Sequence, residues 1–160
     1  MKHYETTLAE VCSMLNEHEA RYVLVGAYAL QLWGSTRATR DIDILIERSV
    51  ENAGRVVDAL GKLGLGLANE WFAEEVANKP VTLIGDDPRV DVLTVAWSVH
   101  YADAYPDARV FEVEGVPIPT ASIDHLIASK QTGRLQDAAD VEVLKEIKRL
   151  LQERESRTHL

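Results

Sequence analysis

The sequence predicts an α+β domain, a small mixed sheet flanked by helices. Three observations carry this prediction. Two short apolar, β-branched runs, Tyr22–Val25 and Ile42–Ile46, read as buried strands on either side of a short apolar helix. Two further pairs of apolar runs, each split by a Gly-containing turn, read as hairpins. Helical stripes stand at both ends of the chain, so helices flank the strands.

The elements follow in order. Thr6 or Thr7 caps a first helix reaching about residue 19, with Leu8, Val11, Cys12 and Leu15 spaced i, i+3, i+4, i+7. Cys12 in that stripe reads as a buried thiol, and His18 as a surface residue. After the first strand, Gly26-Ala27 leads into a helix over 27–33, and a polar loop over 34–40 leads into the second strand. Ser49 caps a helix over 50–63 whose inward stripe is Val50, Ala53, Val56, Val57, Leu60 and Leu63. Residues 67–79 read as a short helix or a packed loop carrying Trp71, Phe72 and Val76. Strands over 81–84 and 89–95 flank the turn Gly85-Asp86-Asp87-Pro88, and residues 97–106 read as a loop or ragged helix. A second hairpin, 110–113 with 116–119, turns at Glu114-Gly115. Ser122 and Asp124 open a helix through Lys130 that Gly133 stops. The last helix spans 135–154, with Val141, Leu144, Ile147 and Leu151 inward, and the tail over 155–160 is expected to fray. Residues 1–160 read as one domain, with the helices from about 122 packing on its core.

Composition narrows the function classes. The chain is 46% hydrophobic and 27% charged, ordinary for a globular protein. No apolar run is long enough to span a bilayer, and the start, Met-Lys-His-Tyr-Glu, lacks a signal-peptide core. A lone cysteine excludes an internal disulfide and a cysteine zinc site, so a cytoplasmic setting is expected. A net charge of -9 opposes binding to a long duplex, although Arg37 and Arg40, with Arg149, Arg154 and Arg157, offer local basic character.

The chemistry concentrates in Asp41-Ile42-Asp43. Strand side chains alternate, so Asp41 and Asp43 share one face and Ile42 and Ile44 the other. Two adjacent carboxylates repel each other, and a divalent cation between them relieves the repulsion. Asp91, flanked by Val90 and Val92, places a third carboxylate in an apolar strand, where it needs a partner. If the two strands are neighbours, all three acids converge as a two-metal phosphoryl-transfer site requires. Asp86 and Asp87 lie in a Pro-containing turn and read as solvated; Asp87 is about 13 Å along the strand from Asp91.

This pattern resembles the minimal nucleotidyltransferases of the DNA polymerase β superfamily. That signature is an apolar residue, Gly, then Gly or Ser, a helix, and Asp-x-Asp on the next strand, with a third carboxylate later. Here Val25-Gly26-Ala27 opens it, thirteen residues follow, Asp41-Ile42-Asp43 closes it and Asp91 matches the third acid. Arg37-Ala-Thr39-Arg-Asp41, with Lys130, Arg134, Asp137 and Asp140, is similar to the abortive-infection toxin type. Small aminoglycoside nucleotidyltransferases are similar too. The resemblance covers roughly 22–151 and implies a polymerase β-like fold.

It also implies a mechanism. Asp41, Asp43 and Asp91 would bind Mg²⁺, or Mn²⁺, and carry catalysis. Gly26 and Ala27 amides, with Arg37, Thr39 and Lys130, would contact an NTP. The acceptor would be a small molecule, a tRNA or a protein, and a homodimer or partner subunit would complete so small a chain. Ala27 departs from the signature's Gly or Ser, but it is small and keeps its N–H for a phosphate at a helix N-terminus. Several of these residues have a plain structural reading as well. Arg37 and Thr39 can simply order their loop, Lys130 suits a helix C-terminus and Asp137 a helix start. Trp97, His100 and Tyr101 could line an acceptor or base pocket, or pack as core and rim. The rival function is a non-catalytic binding or regulatory module of this fold, for instance half of a toxin–antitoxin-like pair.

Overall fold

The computed structural model describes residues 6–158, so residues 1–5 and the end of the tail expected to fray, 159–160, lie outside the described residues. Helix α1 (Leu8–Glu17) starts where the Thr7 hydroxyl accepts from the Glu10 amide. Strand β1 (Tyr22–Val25) is buried along its whole length and runs straight into α2 (Gly26–Trp33). Strand β2 (Ile42–Ile46) follows the polar loop, and α3 (Val50–Leu60) starts at the Ser49 cap. A 3-10 turn (Leu67–Glu70) and α4 (Ala73–Asn78) lead to β3 (Val81–Ile84) and β4 (Val90–Leu93). Short α5 (Tyr101–Ala104), the hairpin β5 (Arg109–Val113) and β6 (Val116–Thr120), α6 (Ile123–Ser129) and α7 (Leu135–Thr158) complete the chain.

The six strands form one mixed sheet in the order β3-β4-β2-β1-β6-β5. β1 and β2 are antiparallel, β2 and β4 parallel, β1 and β6 parallel, and both hairpins antiparallel. The central β1 and β2 are sealed on both faces, which is why they read as nearly continuous apolar runs. The core joins Leu24, Ile44, Leu45 and Ile118 of the sheet to Leu15 of α1, Leu30 of α2 and Leu144 of α7. Cys12 lies in it, fully buried; burial pushes its thiol up to about 11 despite a hydrogen bond with Tyr22.

Several boundaries differ from the sequence reading. α3 stops at Leu60, and Val50 at its start is half exposed, although Asn52 and Ala53 in the same turn are buried. β4 ends at Leu93, since the Thr94 hydroxyl turns away to donate to the Lys79 carbonyl. α7 runs on to Thr158, because Arg149 bridges both Glu146 and Glu153 across successive turns. Asp86 is not a freely solvated turn acid. It accepts from the amides of Leu65, Leu67 and Asp87, a backbone nest that holds its carboxyl below the usual range against the effect of burial. It ties the β3–β4 turn to the segment after α3.

Candidate active site

The site forms where β1 ends, beside the first residues of β2 and β4. Asp43 and Asp91 are direct partners across the parallel β2/β4 ladder, and Val25 pairs Asp43 from the other side. Asp43 is largely buried, and burial is the main cause that pushes its carboxyl up to about 7. The charge of Asp91 and a hydrogen bond shared with it add to the rise, Lys130 opposes it, and Asp41 adds a little more. Asp41 is exposed, just ahead of β2, and its amide donates to the Thr39 hydroxyl. The three acids line one cleft of about 420 Å³ with Ala27, Arg37, Thr39, Lys130 and Arg134.

Gly26 makes the close approach possible. Its φ is +71°, and a Cβ at that position would sit 2.1 Å from Asp43 Oδ2. Only glycine combines that backbone with that contact. The helix it opens, α2, has no side-chain cap, so its first amides stand free at the cleft for an anion.

The opposite wall comes from the α6–α7 junction. Lys130 ends α6 and is 14% exposed, its Nζ lying 3.4 Å from Asp137 and 3.0 Å from Asp140. Asp140 also receives the Arg37 guanidinium and Gln136 Nε2, so the 34–40 loop is tied to α7. Asp137 accepts from the Thr132 hydroxyl and pairs with Arg134. Burial alone would raise the Asp137 carboxyl, but Thr132, Lys130 and Arg134 outweigh it and hold it below the usual range.

The structure thus brings together Gly26, Ala27, Arg37, Thr39, Asp41, Asp43, Asp91 and Lys130. It divides the aromatic segment. Trp97 reaches the cleft, whereas His100 and Tyr101 line a separate pocket with Ile46, Glu47 and Thr94. One residue was not singled out from the sequence. Arg89 forks Asp91, Nε to Oδ1 at 2.8 Å and Nη2 to Oδ2 at 3.2 Å. The signal was present, since residues two apart in a strand share a face.

The donor set suits a hard divalent cation, because the carboxylates of Asp41, Asp43 and Asp91 face the cleft, and burial together with the Asp91 charge raises the Asp43 carboxyl. Among the described residues, no three His, Cys, Asp or Glu side chains gather closely enough to cage an ion unaided. Mg²⁺ takes water and substrate phosphates as its remaining ligands, so an open acidic set is compatible with it.

No protein-family model and no curated protein sequence matches the chain. Solved structures do. The Thermotoga maritima protein TM1012, a nucleotidyltransferase by assignment, superposes with a TM-score of 0.51 at 16% identity, over 91% of each chain. The lincosamide antibiotic adenylyltransferase LnuA, solved with lincomycin bound, superposes with a TM-score of 0.53 at 16% identity, over 90% of this chain and 99% of its own. The likeness at this identity is one of fold: the chain has the nucleotidyltransferase fold. Among the described residues, no helix is long and apolar enough to cross a membrane.

Proposed function

We propose that this chain, built on the nucleotidyltransferase fold, moves NMP from an NTP to an acceptor hydroxyl and releases pyrophosphate. The observation that carries the reading is the register of Asp43 with Asp91, set against the uncapped start of α2. Asp41, Asp43 and Asp91 would hold Mg²⁺ or Mn²⁺, which supplies charge neutralisation for the triphosphate and acidity for the acceptor hydroxyl. The free amides of Gly26 and Ala27 meet the phosphates, and Lys130, Arg37 and Thr39 stand close enough to add contacts. In the transfer, the acceptor oxygen bonds to the α-phosphorus and the bond from that phosphorus to the β-phosphate bridging oxygen breaks. Pyrophosphate leaves with that oxygen, and the hydroxyl proton passes to Asp91. Arg89 must swing off Asp91 for that transfer, and it is exposed enough to move.

The acceptor class is a small molecule, a tRNA end or a protein side chain. LnuA's bound lincomycin makes a small hydroxylated molecule the first to try. The reading takes residues 1–160 as one cytoplasmic domain, completed by a second copy or a partner subunit. A non-catalytic module, half of a toxin–antitoxin-like pair, is the second reading. The Arg89 fork favours it, since that guanidinium already satisfies Asp91.

The test is to incubate the protein with Mg²⁺, each labelled NTP and cell extract, and to identify what becomes labelled. Asp91→Asn is then expected to keep NTP affinity within a few-fold while transfer falls about 10²-fold or more, the scale of losing a base. Undiminished transfer in Asp91→Asn removes it from the site, and no labelling under any condition supports the non-catalytic reading.

A further inference from the structure

The cleft has two lobes that meet at Asp43, Lys130, Arg134 and Asp137, and they differ in character. The lobe described above carries Asp41, Asp91, Arg37 and Thr39, with Ala27 as its one apolar lining residue. The other, of about 220 Å³, shares Asp43, Lys130, Arg134 and Asp137 with it but is also lined by Val25, Leu93, Ala96 and Trp97. Trp97 sits at the tip of a tight turn closed by the Ala96–Val99 bridge. It is 60% exposed, although it is among the largest apolar side chains of the molecule, and its φ of +59° is one that non-glycine residues rarely adopt. Neither packing nor a turn preference accounts for a tryptophan there. A flat apolar ring held open beside a phosphate-binding corner fits a ligand that joins a polyanion to a planar ring.

We infer that Trp97 is the stacking platform for the nucleobase of the NTP, with Leu93 and Ala96 beneath it; this rests on the transfer reading above. The division of residues selects the base over the acceptor. Of the groups that meet the phosphates, Gly26 lines the Trp97 lobe, Lys130 lines both, and Ala27, Arg37 and Thr39 line the polar lobe, so the triphosphate lies across the junction. Asp91, which takes the acceptor proton, lines only the polar lobe. The acceptor hydroxyl therefore enters on the Asp91 side, and the lobe past Lys130 is left for the far end of the nucleotide. Stacking is tolerant of base identity, because every base has a π-face, so Trp97 confers affinity for nucleotides as a class.

The test compares Mg²⁺·NTP with Mg²⁺·tripolyphosphate, which has the charge and no base. By calorimetry, Trp97→Ala is expected to weaken binding of ATP, GTP, CTP and UTP by about ten-fold or more, the scale of one lost base–aromatic stack, and to leave tripolyphosphate unchanged. Trp97→Phe is expected to restore most of the NTP affinity. Trp97→Gly, which suits the left-handed backbone, is expected to fold and to behave as Trp97→Ala does. Unchanged NTP affinity in Trp97→Ala overturns the assignment and leaves the lobe to the acceptor. An equal loss for tripolyphosphate also overturns it and makes Trp97 a structural residue. Failure of the wild-type protein to bind any NTP overturns the transfer reading itself, and this assignment with it.

Discussion

At the scale of single residues, the informative group is Asp43. Its carboxyl is raised, through burial first and the Asp91 charge second, to about 7. The folded protein therefore binds a proton there more tightly than the unfolded chain, whose value is near 3.8. Between those two values stability falls as pH rises, because folding then keeps a proton that the unfolded chain has released. Asp86 and Asp137 act oppositely, being held below the usual range, and their stabilisation is lost only as pH falls through the low carboxylate region. Hence, without divalent metal, the melting temperature is expected to decline from about pH 4 toward pH 7, and Asp43→Asn to flatten that decline. At pH 8 the variant is expected to melt higher than wild type, since a neutral amide removes one of two facing charges. Thermal melts across pH in chelator check this; a wild-type slope retained by Asp43→Asn would exclude the carboxyl pair as its source. Mn²⁺ is expected to raise the melting temperature of the wild type at pH 8 and to leave that of Asp43→Asn unmoved.

At the scale of elements, the site is held by joints of different legibility. Asp41-Ile-Asp43 was legible because alternation on a strand needs only the local sequence, and Gly26 through the Val25-Gly26-Ala27 pattern that the resemblance rests on. The pairing of β2 with β4 is not legible locally, since strand order is a long-range property that no local pattern encodes. Trp97 parted from His100 and Tyr101 because a tight turn at 96–99 redirects the chain, and a left-handed tryptophan gives no turn signal. The α6–α7 wall was visible as residues but not as a joint. Lys130, Asp137 and Asp140 are all nearly buried, and Arg37 reaches Asp140 from a loop about a hundred residues earlier in the chain. Asp140→Ala strands the Lys130 charge with Asp137 alone and frees Arg37, and removing one partner of a buried pair costs about 3–5 kcal/mol. The partial exposure of Arg37 lowers that, so a loss of about 2 kcal/mol is expected by denaturant titration. Faster amide exchange over 35–40 is expected with it, because the loop loses its tie to α7. Exchange over 35–40 equal to wild type would show that the Gln31 bond to the Arg37 carbonyl suffices to hold the loop.

At the scale of the whole molecule, charge decides how a nucleotide can bind. The chain carries a net -9, and its cleft repeats the imbalance locally. Asp41, Asp43, Asp91 and Asp137 line the two lobes against Lys130, Arg37 and Arg134. Those cations are not free: Lys130 is shared by Asp137 and Asp140, Arg37 is bound by Asp140 and Arg134 by Asp137. A bare triphosphate would bring some four negative charges to a site that already lacks positive ones. A divalent cation held as proposed would reverse that sign by neutralising Asp43 with Asp91 and the phosphates together, so metal and nucleotide should bind with strong mutual dependence. ATP or another NTP is therefore expected to raise the melting temperature with Mg²⁺ and barely without it. At a ligand concentration of about 100 times Kd the gain is about 2.7 kcal/mol, or roughly 5–10 °C for a chain of this length. Scanning fluorimetry with each NTP, with Mg²⁺ or with chelator, reads this directly. Equal shifts in both conditions would place the nucleotide away from the carboxylates, because only a site lacking them can be indifferent to the metal.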